Sequence, residues 1–463
     1  MKDQKRFFDF IEVIRRAESG ETMKETDYDR RLGKKVLSLM QQYEIRYDPQ
    51  CVIPADEGLA DRIFQAAVDL FLDLGVYCTD TQRVIRFTQE ELRWALENVP
   101  QEVRYGREEE AVSVHPRKVE DRRAPVCFFS AVGTPVTEEM FLPVAQSYAQ
   151  EPLADTFSGP LITRYKGILV TSGSPMEVEA AIWNTQMLRE AARQAGRPHI
   201  GIHNFQSTGE KTDATIASAQ EQFGALPGDG LLVAAIAELK VDFERLKKVA
   251  FLRQSPYVLG ALYGPLMGGY AGGPEGTTIA LVAHHFLGLL AFSGERHNSF
   301  PIHLHHVCNT TREMLWLISM AGQALARNTP LIIASNAFMA SGPCTEMVMD
   351  ELCAHSITST VSGWHLNPCA VAKNRQPMRC SGMEPRIHAE VGHRVSQIGL
   401  TRKEANRIVL KLVEGYEKRI PEAPIGKMFP ECYSMDKIRP TDEYESLFEK
   451  KKKEWKGLGF EVI

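Results

Sequence analysis

The chain has 463 residues, of which 44% are hydrophobic and 24% charged, and its formal net charge is −5. This composition is typical of a globular protein, and the slight acidity gives no reason to expect nucleic acid as a partner. The longest apolar run, residues 277–292, contains two histidines and is too short to span a bilayer. Because the N-terminus also lacks an apolar signal core, we expect a cytoplasmic protein without a membrane partner.

The first 120 residues have the pattern of charged helices. Apolar residues recur at helical spacing over residues 59–74 and 89–99, and no strong strand pattern appears before Pro125. We therefore predict a helical N-terminal extension over residues 1–120, packed on a catalytic domain that covers residues 121–463.

From about residue 125 short apolar segments alternate with helical patterns. The predicted strands cover residues 126–130, 199–204, 231–237, 257–263, 301–306 and 331–336. The helical patterns cover residues 177–195, 242–252, 277–293, 311–327 and 345–354. This alternation indicates parallel strands with crossover helices, and six or more such units suit an α/β fold of the TIM (β/α)8 barrel type. The absence of a Gly-x-Gly-x-x-Gly motif after a first strand disfavours a dinucleotide-binding fold.

Beyond the predicted barrel, residues 402–416 have a helical pattern, and the basic run 450–453 lies in a further charged helix. We interpret that run as a solvated helix face rather than a nucleic-acid site. The nine cysteines include no Cys-x-x-Cys pair, so we expect free and mostly buried thiols.

In a TIM barrel the active site lies at the carboxyl ends of the strands. We therefore take as candidates the polar and aromatic residues that close the predicted strands. They are His203, Asn204, Gln206, Glu238, Tyr263, His305, His306, Asn336 and Phe338.

The histidines among these candidates allow two interpretations. An imidazole at His203 could bind a metal or move a proton, or it could be a hydrogen-bonded structural residue. On the predicted strand 301–306, His303 and His305 share one face and His306 lies on the other. His203, His303 and His305 could together bind zinc. Alternatively, His303 packs inside the barrel while His305 and His306 cap the strand.

A glycine-rich segment, residues 268–273, follows a predicted strand and precedes a helix. Such a loop allows close approach of a bulky ligand. Tyr270 in this segment, together with Tyr263, Phe338 and Trp364, could surround a methylated ammonium group through cation–π contacts. Core packing is the alternative for each ring, and we favour it for Trp364.

Several segments in the same order along the chain resemble the monomethylamine:corrinoid methyltransferases of methanogens. They are Gly75-Val76-Tyr77-Cys78-Thr79-Asp80-Thr81, Ala195-Gly196-Arg197-Pro198, residues 268–273 with Thr277-Thr278, Thr311-Arg312-Glu313, Gly342-Pro343-Cys344-Thr345-Glu346-Met347, Ser356-Ile357-Thr358 and Phe429-Pro430-Glu431-Cys432-Tyr433. The resemblance implies a barrel, commonly in a homohexamer, whose mouth receives the corrinoid of a separate carrier protein. The cobalt(I) ion of that corrinoid would attack the methyl carbon of a small methylated substrate.

The same resemblance identifies changes in the pocket. The family's pyrrolysine falls at His203, which cannot form the same imine adduct with an amine. Two family glutamates fall at Leu262 and Gln206, and a family glutamine falls at Asn336, with aromatic Phe338 after it. His305 and His306 also stand where the family has other polar or aromatic residues. We therefore identify the chain as a homologue without pyrrolysine whose pocket has changed.

Three hypotheses follow for the function. The leading one is transfer of a methyl group from an N-methylated amine, quaternary or otherwise activated, to the cobalt of a carrier-bound corrinoid, with no tightly bound cofactor. In this scheme His203, Gln206 and Asn336 are catalytic. Glu238, Leu262, Tyr263, Tyr270, His305, His306 and Phe338 bind the substrate. The alternatives are zinc-dependent transfer from an O- or S-methyl donor, and a relative that binds the carrier without turnover.

Overall fold

The structure is a computed structural model that describes residues 8–462. Its α-helices are α1 Phe10–Ser19, α2 Glu25–Gln42, α3 Glu57–Leu74, α4 Gln89–Asn98, α5 Glu138–Ala149, α6 Pro175–Gln194, α7 Thr212–Ser218, α8 Phe243–Leu252, α9 Pro274–Leu290, α10 Arg312–Asn328, α11 Glu346–Val361, α12 Met383–Ile398, α13 Arg402–Tyr416, α14 Phe429–Cys432 and α15 Asp442–Gly457. The helical spacing in the sequence predicted α3, α4, α6, α8, α9, α10 and α13 to within a few residues and α11 only in its first part, and it gave no bounds for α2, α5 and α12.

Eight central strands carry the candidate site. They are β1 Phe128–Phe129, β2 Thr156–Ser158, β3 Gly201–Asn204, β4 Gly230–Ala234, β5 Val258–Tyr263, β6 Arg296–Ser299, β7 Ile333–Phe338 and β8 His365–Ala370. All of their ladders are parallel, in a three-stranded sheet of order β3-β2-β1 and a five-stranded sheet of order β4-β5-β6-β7-β8.

The two sheets approach each other at both edges. On one side a single parallel bridge joins Cys127 and Leu366, next to β1 and β8. On the other side the Phe205 amide donates to the Gly230 carbonyl at 3.1 Å, and the Leu232 amide donates to the Asn204 side chain at 3.1 Å. The parallel βα alternation expected from the sequence is therefore present, although its ladders are divided between two sheets.

Three differences from the predicted strands matter for the site. The predicted strand 301–306 is wrong, because the central strand is Arg296–Ser299 and Ile302–His303 pairs only with Leu266–Met267. Strands β2 and β8 were missing from the prediction. Both are rich in polar residues, so they lack the apolar run on which strand assignment depends.

The N-terminal region is helical but also contains short strands, contrary to expectation. They are Glu21–Thr22, Val76–Cys78, Arg83–Ile85, Val103–Tyr105 and Val112–Val114. Helix α3 packs on α9 through the rings of Phe64 and Phe286, whose centroids are 5.7 Å apart. The hairpin of Val103–Tyr105 and Val112–Val114 places buried Tyr105 at the amino ends of the central strands, where its ring lies 5.8 Å from that of Phe128.

Two further expectations concern the chain as a whole. All nine cysteines are free, and seven of them are buried, as predicted. Within residues 8–462 no helix has both the length and the apolar character needed to cross a membrane. The basic run lies on α15, where exposed Lys450 pairs with Glu346 but buried Lys451 pairs with Asp350, so the predicted solvated face is solvated only in part.

Candidate functional site

The side chains of β6 divide between two environments. Because side chains alternate along a strand, Arg296 and Asn298 share one face, while His297 and Ser299 share the other. Asn298 contacts Asn367 of β8 across the inner face of the sheet. His297 and Ser299 instead face helix α9. We call these the inward face and the helix-facing side of the central strands.

Three asparagines form an amide cluster on the inward face. The Asn367 side-chain amide donates to Oδ1 of Asn298 at 2.9 Å and to Oδ1 of Asn336 at 2.6 Å. Asn298 in turn donates to the Ala261 carbonyl at 2.9 Å. The Oδ1 atom of Asn367 is buried without a hydrogen-bond partner. Asn336 therefore faces the interior as predicted, within a polar layer that the sequence did not indicate.

His203 also lies on the inward face, towards the deep end formed by the amino ends of the strands. Its Nδ1 atom is 2.9 Å from the Thr156 hydroxyl, and its ring meets the Phe128 ring edge-to-face at 5.5 Å. Burial, together with the nearby charge of Arg296, holds the pKa of His203 well below its usual range. The imidazole is therefore neutral at neutral pH.

Arg296 lies beside His203 and is fully buried. Its guanidinium carbon is 3.9 Å from the ring centroid of Phe128 and 5.3 Å from that of Tyr105. Within residues 8–462 none of its three guanidinium nitrogens has a hydrogen-bond partner, and neither has the Tyr105 hydroxyl. Burial lowers the pKa of Arg296 from its ordinary value. The inward face therefore contains a desolvated guanidinium with unused donors.

The carboxyl end of the inward face is less closed. Leu232, Ala234 and Leu262 face inward on β4 and β5, and each is partly exposed. Phe338 stands near this end on β7 and stacks on Phe300, with ring centroids 5.9 Å apart. Leu262 and Phe338 therefore lie where a substrate entering from the strand ends would meet them.

Tyr263 does not lie at the mouth, which corrects the prediction for this residue. It is fully buried on the helix-facing side, and its hydroxyl is 2.8 Å from Nδ1 of His297. Its ring lies 4.8 Å from that of His285 on α9. Side chains alternate along β5, so Leu262 lies on the same face as Gly260 and Tyr263 lies on the opposite face. The predicted side of Tyr263 was therefore wrong.

Gln206 is also buried, and its side chain is already bound within its own loop. Its amide donates to the Ala181 carbonyl at 3.0 Å and to the Ser218 hydroxyl at 3.1 Å. Its Oε1 accepts from the amides of Thr208 and Gly209 at 2.8 and 2.6 Å. Gln206 therefore holds the loop after β3, which contradicts its predicted catalytic role.

His303 ends the short strand Ile302–His303 and His305 and His306 lie in the turn after it, so none of the three is on a central strand. Nδ1 of His303 accepts from the amides of His305 and His306 at 3.1 and 3.3 Å. Burial and the two neighbouring histidines lower the pKa of His303 to about 4. The predicted strand faces are therefore wrong for all three residues. Among the described residues no group of three or more His, Cys, Asp and Glu side chains could hold a metal ion, so the site with His203, His303 and His305 lacks a donor set.

Glu238 is buried between the loops that follow β4 and β5. Its Oε2 has no hydrogen-bond partner, and its Oε1 lies 3.1 Å from an ideal Cβ position on Gly269. Burial and the charge of Asp29 raise its pKa to about 7, although Lys240 opposes the shift. Glu238 therefore packs under the glycine-rich loop and is not exposed at the mouth as predicted.

The rim around the strand ends carries exposed apolar side chains. Tyr270 is 56% exposed and Leu304 is 44% exposed, and the Leu304 amide binds the Met267 carbonyl at 3.0 Å. Gly272 has a φ of +78°, a conformation that side chains rarely adopt, and a Cβ there would meet nothing within 4 Å. The glycine-rich loop is therefore open at the rim, where Tyr270 is exposed; its predicted contact with a methylated ammonium group stays a prediction.

Sequence reasoning missed Arg296, Thr156, Asn298 and Asn367, all of which face inward. The strand Arg296–Ser299 contains no apolar residue, so its pattern gave no strand signal. The sequence offered one hint, which was Arg296, a basic residue without an obvious partner just before the predicted strand 301–306.

The comparisons with known proteins agree over the whole chain. A family model described as monomethylamine methyltransferase MtmB matches residues 8–460. MtmB of Methanosarcina mazei and MtmB2 of Methanosarcina barkeri are each 34% identical to this chain, over 454 and 463 residues, covering 98% of it and 98% and 99% of the relatives. Crystal structures of Methanosarcina barkeri MtmB and of a hydroxylamine MtmB complex match with TM-scores of 0.94, at 32% identity over 99% of each chain. The chain therefore belongs to the monomethylamine methyltransferase MtmB family.

Proposed function

We propose that this protein transfers a methyl group from a quaternary N-methylated donor to the cobalt of a corrinoid held by a carrier protein. Family membership supports methyl transfer as the reaction. The observation that carries the choice of donor is the buried imidazole of His203 at the deep end of the inward face, whose pKa is held well below its usual range by burial and the charge of Arg296.

We infer that the eight central strands act as one closed TIM barrel. The hydrogen bonds at both sheet edges support this inference, since they continue the parallel order from β3 to β4 and from β8 to β1. In such a barrel the active site lies at the carboxyl ends of the strands, where Leu232, Ala234 and Leu262 are partly exposed. The N-terminal extension, described over residues 8–120, then packs on a barrel domain that begins at residue 121, and its Tyr105 lies at the amino end of the strands.

The protonation state of His203 favours a quaternary donor. A neutral imidazole is a poor proton donor, so it cannot supply a proton to a departing amine at neutral pH. An unprotonated amine would need such a proton to become a leaving group. A quaternary ammonium is charged at every pH, so its C–N bonding pair returns to nitrogen and a neutral tertiary amine leaves. Pyrrolysine chemistry is absent at His203, and we therefore expect monomethylamine to be a poor donor. We assign His203 and Asn336 to orienting the substrate.

The lining supports a substrate that needs no carboxylate partner for its ammonium group. None of the inward-facing residues described above is acidic, and the partly exposed position Leu262 is aliphatic. Phe338 offers an aromatic face near the carboxyl end, and a cation–π contact with a methylated ammonium contributes roughly 0.5–2 kcal/mol. Leu262 and Phe338 therefore contact the methylated end of the donor in this proposal.

The rim fits the apolar edge of a macrocycle presented by another protein. Tyr270 and Leu304 expose apolar surface there, with His305 and His306 in the same turn as Leu304. A corrinoid bound at this rim would supply a nucleophilic cobalt(I) ion to receive the methyl group. Residues of this chain orient the donor so that its methyl carbon faces the mouth and exclude water from the deep end.

We further propose that the protein forms a homohexamer, and analytical ultracentrifugation tests this proposal.

Methyl transfer to free cob(I)alamin tests the proposal. The purified protein is incubated with cob(I)alamin and tertiary, quaternary or primary methylated amines, and the absorbance change on cobalt methylation is followed. We expect turnover with a quaternary donor and little with monomethylamine. Absence of turnover with every tertiary and quaternary amine, with free and carrier-bound corrinoid, would contradict the proposal and favour a carrier-binding relative without activity.

A further inference from the structure

We propose that Arg296 binds a carboxylate of the methyl donor, so that the substrate is a zwitterion with a methylated ammonium at one end and a carboxylate at the other. This inference rests on the proposed function and names the substrate class of the same site. The observation behind it is a fully buried guanidinium with three nitrogens that bond to nothing in the described protein.

A buried charge without a partner is a costly feature, and proteins rarely retain one that serves no ligand. Among the described residues no carboxylate forms a salt bridge with Arg296, and the rings of Phe128 and Tyr105 supply only cation–π contacts. A planar guanidinium presents paired donors that match the two oxygens of a carboxylate. The unpartnered Tyr105 hydroxyl adds a further donor beside the same group.

The direction of the side chain agrees with this role. Arg296 and Asn298 lie on the inward face of β6, and Asn298 belongs to the amide cluster with Asn336 and Asn367. His203, the site residue at the deep end, feels the charge of Arg296. The positive charge therefore lies inside the same interior as Leu262 and Phe338, at its deeper end.

The charge distribution also excludes a simple cationic substrate. A small ammonium ion would enter an interior whose fixed charge is the guanidinium of Arg296, with no acidic residue among the inward-facing positions to offset it. A carboxylate at the deep end removes this repulsion and leaves the ammonium towards Phe338. The bound zwitterion then directs its methyl groups towards the mouth, where the methyl acceptor of the proposed reaction arrives.

Ligand binding without corrinoid tests this inference separately from turnover. Thermal shift and calorimetric titration of the full chain compare N,N,N-trimethylglycine with choline, which keeps the quaternary ammonium but has a hydroxyl in place of the carboxylate. Acetate, formate and inorganic phosphate probe the anion site alone. We expect trimethylglycine and acetate to stabilise the wild-type protein, and choline and phosphate to have little effect.

Two substitutions separate binding from structure. Arg296→Gln should weaken trimethylglycine binding by about 10- to 100-fold, the loss expected for hydrogen bonds to a charged group, while Arg296→Lys should lose less. Removal of the unpartnered charge should also leave the ligand-free Tm unchanged or raise it. Arg117→Gln is the matched control. Arg117 is a buried arginine whose guanidinium binds the carbonyls of Asp121, Arg123 and Thr360, so its loss should lower Tm without changing ligand binding.

Two results would overturn the inference. One is equal binding of choline and trimethylglycine by the wild-type protein, or binding of neither trimethylglycine, acetate nor formate. The other is ligand binding that is the same in Arg296→Gln, with a fall in ligand-free Tm like that of Arg117→Gln, which would identify a structural cation–π stack. If Arg296→Gln fails to fold, the choline comparison in the wild-type protein still decides. Failure of methyl transfer with intact carboxylate binding would count against the proposed function alone.

Discussion

Both sides of the central strands contain buried polar side chains, but they differ in how many of the polar atoms have hydrogen-bond partners. On the helix-facing side the Tyr263 hydroxyl lies 2.8 Å from Nδ1 of His297, whose Nε2 has no partner among the described residues, and Nδ1 of His285 lies 2.8 Å from the Leu281 carbonyl. On the inward face the three guanidinium nitrogens of Arg296 and Oδ1 of Asn367 have no partner. Because buried polar groups are normally hydrogen-bonded, we expect substitutions on the helix-facing side to affect the fold and substitutions on the inward face to affect ligand binding.

This difference predicts that changes on the helix-facing side affect stability far more than catalysis. Tyr263→Ala removes a fully buried ring that packs on α9 and binds His297, so we expect the free energy of unfolding to fall by about 3–5 kcal/mol. Urea denaturation measures this change. The neighbouring Leu262→Ala is the matched control, since Leu262 is partly exposed on the inward face and its loss should cost less. Equal destabilisation by the two variants would contradict the division into two sides.

The buried carboxyl of Glu238 makes a second, pH-dependent prediction. Its pKa is raised to about 7 from an ordinary 4.5, so the native state holds a proton that the unfolded state has released between these values. Stability therefore falls as pH rises through this window, by up to about 3 kcal/mol. The residues facing Glu238 are Asp29, which raises its pKa, and Lys240, which lowers it.

Glu238→Gln should remove this loss, so the variant should gain stability over the wild-type protein between about pH 5 and pH 8. Urea denaturation across this range measures the difference. Asp242→Asn is a comparison at an ordinary helix cap, where Asp242 binds the Arg245 amide at 2.8 Å. A stability difference between wild type and Glu238→Gln that does not vary with pH would show that Glu238 is not held protonated.

How much of this could be predicted from sequence depends on which physical signal each element carries. Helices with an apolar stripe, such as α13 at Arg402–Tyr416, were predicted at their observed ends. Strands β6 and β8 were missed because their inward positions hold Arg296, Asn298 and Asn367 in place of the apolar residues that mark a strand. Polar residues at the inward positions remove the apolar pattern by which strands are recognised. The strands that carry the site were therefore not found from the sequence.

The individual site residues show the same limit. His203 and Asn336 were identified because each closes an apolar strand. Gln206 and Tyr263 were chosen by the same rule and were wrong, because side-chain direction depends on register and loop packing that only the fold determines. Position along a strand is therefore easier to predict than the side to which a residue points.

The smallest expected effect concerns Phe338 on the inward face. Phe338→Leu keeps an apolar side chain but removes the aromatic face, so KM for a quaternary donor should rise roughly 2- to 30-fold. Competition by the uncharged analogue of the donor, with carbon in place of the ammonium nitrogen, is the control and should change little. Equal weakening of the charged and uncharged compounds would point to shape rather than to a cation–π contact.

The central claim is that the inward face holds a carboxylated quaternary amine for methyl transfer. The most direct test is methylation of cob(I)alamin by the wild-type protein and Arg296→Gln, with N,N,N-trimethylglycine, choline and monomethylamine as donors. The account predicts turnover by the wild-type protein with the carboxylated quaternary amine and a strong reduction in Arg296→Gln. Turnover of monomethylamine at a comparable rate, unchanged in Arg296→Gln, would contradict it.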